Sequence, residues 1–185
     1  SLVWNGSEYA ATWPAPVASQ PSDVYFHRID ASGSKIGSEL ILTDVIIFWP
    51  YPTVGWSGTY YGVVWIEKGE KDGLTINQIK FAKISSNGQL LNQPFYISNI
   101  EKGSLPVLVG NGNGYGMIWK DGRIGGIGSP LYFGKFNADG IRTGDDSQLS
   151  VSGVAPRDQF AIFDAGKYAV IWEISGGGIY FSTGN

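Results

Sequence analysis

Tyr61-Gly62-Val63-Val64-Trp65 has three counterparts in this chain: Tyr9-Ala10-Ala11-Thr12-Trp13, Tyr115-Gly116-Met117-Ile118-Trp119 and Tyr168-Ala169-Val170-Ile171-Trp172. Their tryptophans lie 52, 54 and 53 residues apart. Self-similarity at such a period belongs to stacked or radial all-β arrays, because a unit of this size cannot bury its own apolar faces. Within the motif, Tyr61, Val63 and Trp65 alternate with Gly62 and Val64, so aromatics fall on one side and small or aliphatic residues on the other. Neither side is polar. A strand apolar on both faces must be covered on both faces.

The repeat extends outward in both directions. Pro52 and Pro106 stand nine positions before Tyr61 and Tyr115, and Gly6, Gly58 and Gly112 stand three before their tyrosines. The fourth copy slips by one, to Gly166. Downstream come Val24-Tyr25-Phe26, Ile79-Lys80-Phe81, Leu131-Tyr132-Phe133 and Ile179-Tyr180-Phe181. Three copies then reach a turn ending in Gly33, Gly88 or Gly140, where glycine supplies positive φ between antiparallel strands. Each unit is thus predicted to hold four short strands, a to d, with the Tyr–Trp motif on b and with Trp4 and Trp56 in the core from strand a. The units run about 1–44, 45–99, 100–152 and 153–185, and form one array. The last unit stops before its strand d.

A sheet covered on both sides by like sheets is a propeller blade. The pattern resembles the β-propeller repeats of bacterial secreted and surface proteins, which read roughly Pro-x-Val-x-Trp-x-Gly-x-x-Tyr-x-x-x-Trp, then an apolar strand and an Asp-x-x-Gly turn. The resemblance covers the whole chain. It implies an all-β propeller of four-stranded antiparallel blades, either a four-bladed ring with an incomplete last blade or part of a larger ring of about seven or eight. Two copies completing one ring, or the remainder of a longer chain doing so, are the other ways to cover the ends. A secreted or surface location is what the resemblance implies. The Gly-Gly doublet of kelch and the terminal Trp-Asp of WD40 are missing from the matching places.

Composition narrows the function classes. The net charge is −3, with 13 Lys and Arg scattered along the chain. Nucleic acid is therefore not an expected partner, since phosphate binding needs concentrated positive charge. There is no cysteine and only one histidine, His27, so a zinc site or a Ser-His-Asp triad has no basis. No run of apolar residues is long enough to cross a membrane. No cofactor, metal or catalytic residue is expected.

Candidate contacts lie on one face. In a propeller the a–b and c–d turns share one end of the array, and the b–c and d–a connections share the other. Here the former are short and uniform, whereas 14–23, 67–77, 120–129 and 173–178 differ strongly, as do the d–a connections. Connection 44–52 brings together Phe48, Trp49 and Tyr51, whose rings suit stacking on sugar faces. A carboxylate follows the motif in three units, Glu67, Asp121 and Glu173, with Arg123 beside the second. These acids read either as acceptors for a ligand or as ion-pair partners of Arg28, Lys83 and Lys135 on strand c.

The expected function is a non-catalytic module binding a glycan or a protein surface. A propeller-type glycoside hydrolase, or its remnant, is the alternative, and it would need two carboxylates roughly 5–9.5 Å apart. A structural or assembly domain is the third reading.

Overall fold

The computed structural model describes residues 1–17, 20–43, 50–71, 73–97, 102–122, 129–151, 156–174 and 177–184. Among these there is no helix, and fifteen strands form four antiparallel sheets, one per Tyr–Trp motif. Sheet 1 holds β1 (Leu2–Trp4), β2 (Tyr9–Val17), β3 (Gln20–Ile29) and β4 (Lys35–Ile41). Sheet 2 holds β5 (Thr53–Trp56), β6 (Tyr60–Lys71), β7 (Leu74–Ser85) and β8 (Phe95–Tyr96). Sheet 3 holds β9 (Gly103–Gly110), β10 (Gly114–Asp121), β11 (Leu131–Asn137) and β12 (Ser147–Gln148). Sheet 4 has three strands, β13 (Pro156–Asp164), β14 (Lys167–Ile174) and β15 (Gly178–Gly184). Strand order in every sheet is the order along the chain.

The turns follow from residue chemistry. Gly33, Gly88 and Gly140 adopt φ of 88°, 85° and 77°, values that side-chain-bearing residues rarely adopt, and each amide bonds back three residues to close the c–d turn. Asp30 Oδ1 accepts from the amides of Ser32 and Ser34, both at 2.8 Å, which ties the first of these turns internally.

Packing runs from each sheet to the next. Tyr61, Val63 and Trp65 share one buried cluster with Ala10, Val24 and Phe26 of sheet 1. On the other side of sheet 2, Val64, Ile79 and Phe81 pack with Tyr115, Met117 and Trp119 of sheet 3. Ile118 and Leu131 meet Val170 and Trp172 of sheet 4 in the same way. The small residue after each tyrosine has a steric reason. A Cβ on Gly62 would lie 2.8 Å from both the Phe81 and Tyr115 rings, and one on Gly116 would overlap the Tyr168 ring.

The first strands of the sheets lie side by side and are cross-tied. Ser1 Oγ accepts from the Val54 amide at 3.3 Å, and Thr53 Oγ1, at the corresponding place one repeat on, accepts from the Leu108 amide at 3.1 Å. Gln159 Nε2 donates to the Leu105 carbonyl at 2.5 Å at the last junction. A groove of about 930 Å³ runs between these four strands, with Trp4, Trp56, Leu108 and Phe160 in its walls.

Two features depart from expectation. The segments 14–23 and 67–77, expected as b–c loops, are largely paired strand: Pro14↔Val24 and Ala15↔Asp23 extend one hairpin, and Glu67↔Gln78 through Lys71↔Leu74 extend the other. Trp4 is exposed instead of buried, because among the described residues no sheet lies in front of β1. A four-membered ring closed on itself would bury the far face of sheet 4 and the near face of sheet 1. Both faces carry exposed aromatics and isoleucines, among them Tyr9, Phe160, Ile162 and Phe181.

Candidate recognition surface

The end of the array at which β2, β6, β10 and β14 finish is the one the sequence marks as variable. Of the residues expected there, Phe48, Trp49 and Arg123 lie outside the described residues. Tyr51 is described. It is 47% exposed and sits between two buried prolines, Pro50 and Pro52.

Tyr51 has an unusual backbone that the sequence did not announce. Its φ is +44°, and Leu105 and Asp158 have φ of +49° and +47°. Each stands fourteen residues before the signature tryptophan of its unit. A left-handed residue other than glycine is strained by roughly 1–3 kcal/mol and persists only where surroundings hold it. In sheets 3 and 4 the strand pairing skips at this level, between Ile118 and Lys120 and between Arg157 and Phe160, so the corner is a β-bulge. The fold thereby presents three like corners at the mouth of the inner strands: one aromatic, one aliphatic and one acidic. A polar signal exists at one of them. The Lys120 ammonium is held below its ordinary range by burial first and by Arg157 second, with Asp158 acting in the opposite direction.

The three carboxylates are not equivalent. In Trp65-Ile66-Glu67 the acid is two residues beyond the ring, so it shares the ring's face. Trp65 Nε1 donates to Glu67 Oε2 at 3.1 Å, Tyr96 donates its hydroxyl to Oε1 at 3.2 Å, and Lys80 Nζ pairs with Oε1 at 2.7 Å. Asp121 repeats this spacing, is fully buried, and accepts from Trp119 Nε1 at 2.8 Å. Glu173 follows Trp172 directly. The one-residue difference turns it to the opposite, exposed face, and the Trp172 indole N–H has no partner among the described residues. Glu67 and Asp121 thus serve as acceptors for indole N–H groups.

The cations of strand c find other partners than those expected. Arg28 makes a two-pronged bond to Glu8, Nε to Oε1 and Nη2 to Oε2 at 2.6 Å each. Lys83 reaches across to Asp139 of sheet 3 at 2.6 Å and lies over the Tyr60 ring. Lys135 is exposed beside an open groove of about 400 Å³ between sheets 3 and 4. At the earlier junctions this place is taken by the following sheet's c–d turn: Gly88 sits against Arg28, and Gly140 against Phe81. The groove thus lies where a c–d turn packs at the two earlier junctions. His27 is buried in a strand, with neither ring nitrogen bonded among the described residues, and no group of His, Cys, Asp or Glu with metal-holding geometry occurs among them.

Together these observations define an all-β protein of serially packed antiparallel sheets. No protein-family model and no curated protein matches the chain. Among solved structures it is similar to the endo-arabinase from Bacteroides thetaiotaomicron VPI-5482, at 15% identity and a TM-score of 0.53, over 98% of this chain and 72% of that one. At that identity the likeness shows the fold alone.

Proposed function

We propose that the chain is four blades of a β-propeller of the bacterial secreted or surface kind, and that it is a non-catalytic module recognising carbohydrate at the end bearing Tyr51, Leu105 and Asp158. The observation that carries this reading is the use of the acids. Glu67 and Asp121 are each bonded to the indole of their own strand, and Glu173 points to another face. A glycosidase needs two carboxylates converging on one bond, and these three are spread over three sheets. Half-exposed Tyr51 on a rigid corner offers a flat apolar surface of the kind that stacks on sugar rings. The similar endo-arabinase supports carbohydrate over protein as the ligand class. It also keeps one rival alive, that the chain is a hydrolase or derived from one.

The test combines a glycan array with a hydrolysis assay on arabinose polymers and chromogenic glycosides. Binding without turnover, weakened roughly tenfold or more by Tyr51→Ala, is the expected result. Release of sugar that disappears in Asp121→Asn would replace this reading with the hydrolase.

A further inference from the structure

We propose that the two open sheet faces are the halves of a single interface, and that a second copy of this chain covers them head to tail, sheet 1 of one copy against sheet 4 of the next. The three internal junctions supply the rule. Sheets 2 and 3 offer a forward face made of the small residue after the tyrosine, an aliphatic two positions on, and an aliphatic and a phenylalanine from strand c; sheet 1 has Thr12 in place of the first aliphatic. The next sheet lays its Tyr-x-x-x-Trp face on that surface.

Sheet 4 carries the same forward set in Ala169, Ile171, Ile179 and Phe181. Ile179 is 80% exposed and Phe181 63%, where Ile79 and Phe81 are 0% and 1%. Phe160 and Ile162 enlarge the patch from β13. Sheet 1 carries the matching backward set. Tyr9 is 37% exposed where Tyr61 and Tyr115 are 0%, and Trp13 is half-buried where Trp65 and Trp119 are fully buried. Exposed apolar residues clustered on one face, here with Glu173 among them, mark an interaction site. Within the described residues such a face is covered by the Tyr-x-x-x-Trp face of the next sheet.

The first junction also carries a polar tie. Asn5 Nδ2 donates to the Tyr61 hydroxyl at 2.7 Å, across the first junction. Eight residues before each signature tryptophan stand Asn5, Ser57, Asn111 and Asp164. The tie is not repeated in this form at the later junctions: the Tyr115 hydroxyl donates to the Tyr60 carbonyl at 2.9 Å, and the Tyr168 hydroxyl has no partner among the described residues. Sheet 1 of one copy against sheet 4 of the next joins two different surfaces. Such a contact is heterologous: it closes into a ring or runs on as a chain of copies.

Sedimentation of the 185-residue chain across the micromolar range tests this, with circular dichroism to check folding. Wild type should sediment as a multiple of the monomer. Ile179→Lys and Tyr9→Lys should each give folded monomers, with association weakened roughly 100-fold by a charge buried without a partner. Mixing these two variants should restore a two-chain species, because one keeps an intact sheet 1 and the other an intact sheet 4. A wild type that stays monomeric overturns the proposal and assigns the faces to repeat sheets from another source. Association indifferent to both charges, or no two-chain species on mixing, overturns it as well.

Discussion

Glu8 lies at the first junction between sheets, where the Arg28 guanidinium bonds both its oxygens and the Tyr61 hydroxyl donates to it at 2.9 Å. The Arg28 bond holds its carboxyl below the ordinary range against the opposing effect of burial, and the Tyr61 bond adds to the lowering. A carboxyl depressed in the folded state stabilises fully above its unfolded value, near 4.5, and loses that contribution as pH falls through its folded value. Urea titrations followed by tryptophan fluorescence should therefore show stability falling with acid below about pH 4.5. In Glu8→Gln that component should vanish, and stability at pH 7 should be lower by about 2 kcal/mol. The same logic separates Glu67 from a ligand role. Glu67→Gln leaves Lys80, a side chain only 13% exposed, without its carboxylate. It should cost about 2 kcal/mol in denaturant melts while leaving glycan affinity unchanged. The recurrence of an acid after the tryptophan and of the turn glycines was legible in the sequence as repeated spacings. The partner of each acid was not, since Lys80 stands where the other units place Tyr25, Tyr132 and Tyr180, and nothing local says that the odd cation meets the nearest acid.

At the scale of the strand, the repeat dictates one small residue after each tyrosine. Gly116→Ala should destabilise by roughly 1–3 kcal/mol, as overpacking does, because Tyr168 of the next sheet occupies the space. Thermal or urea denaturation reads this directly, and Ala169→Gly, on an uncovered face, should change stability by only about 1 kcal/mol. Strand existence was readable from alternation throughout. Strand length was not. The β6–β7 hairpin runs on through Glu70↔Thr75, although Glu67-Lys68-Gly69-Glu70-Lys71 looks like loop composition. Its ladder of backbone bonds holds without alternating apolar side chains, so periodicity gives no signal. The left-handed corners were equally silent, since Tyr, Leu and Asp share no propensity that marks positive φ.

For the whole molecule, serial packing means that each sheet is stabilised by its immediate neighbours. Sheets 2 and 3 are covered on both faces, and sheet 4 on one. Amide hydrogen exchange in dilute solution should accordingly be fastest in β13–β15 and slowest in β6 and β10. Protection of β14 and β15 should rise with protein concentration if copies associate through that face, and an exchange pattern uniform across all four sheets would contradict serial packing.

The amino-acid order by itself determined that there are four like units of short antiparallel strands, which residues turn the chain, and that the Tyr–Trp strand is apolar on both sides. Those are consequences of local backbone preference and of side-chain alternation, which act over a few residues. Only the tertiary structure decided that Glu67 and Asp121 cap indoles while Glu173 faces away, that three corners adopt left-handed backbone, and that two sheet faces stay open. Each of these depends on which groups from distant parts of the chain arrive beside one another, and a single residue's offset along a strand is enough to reverse the outcome.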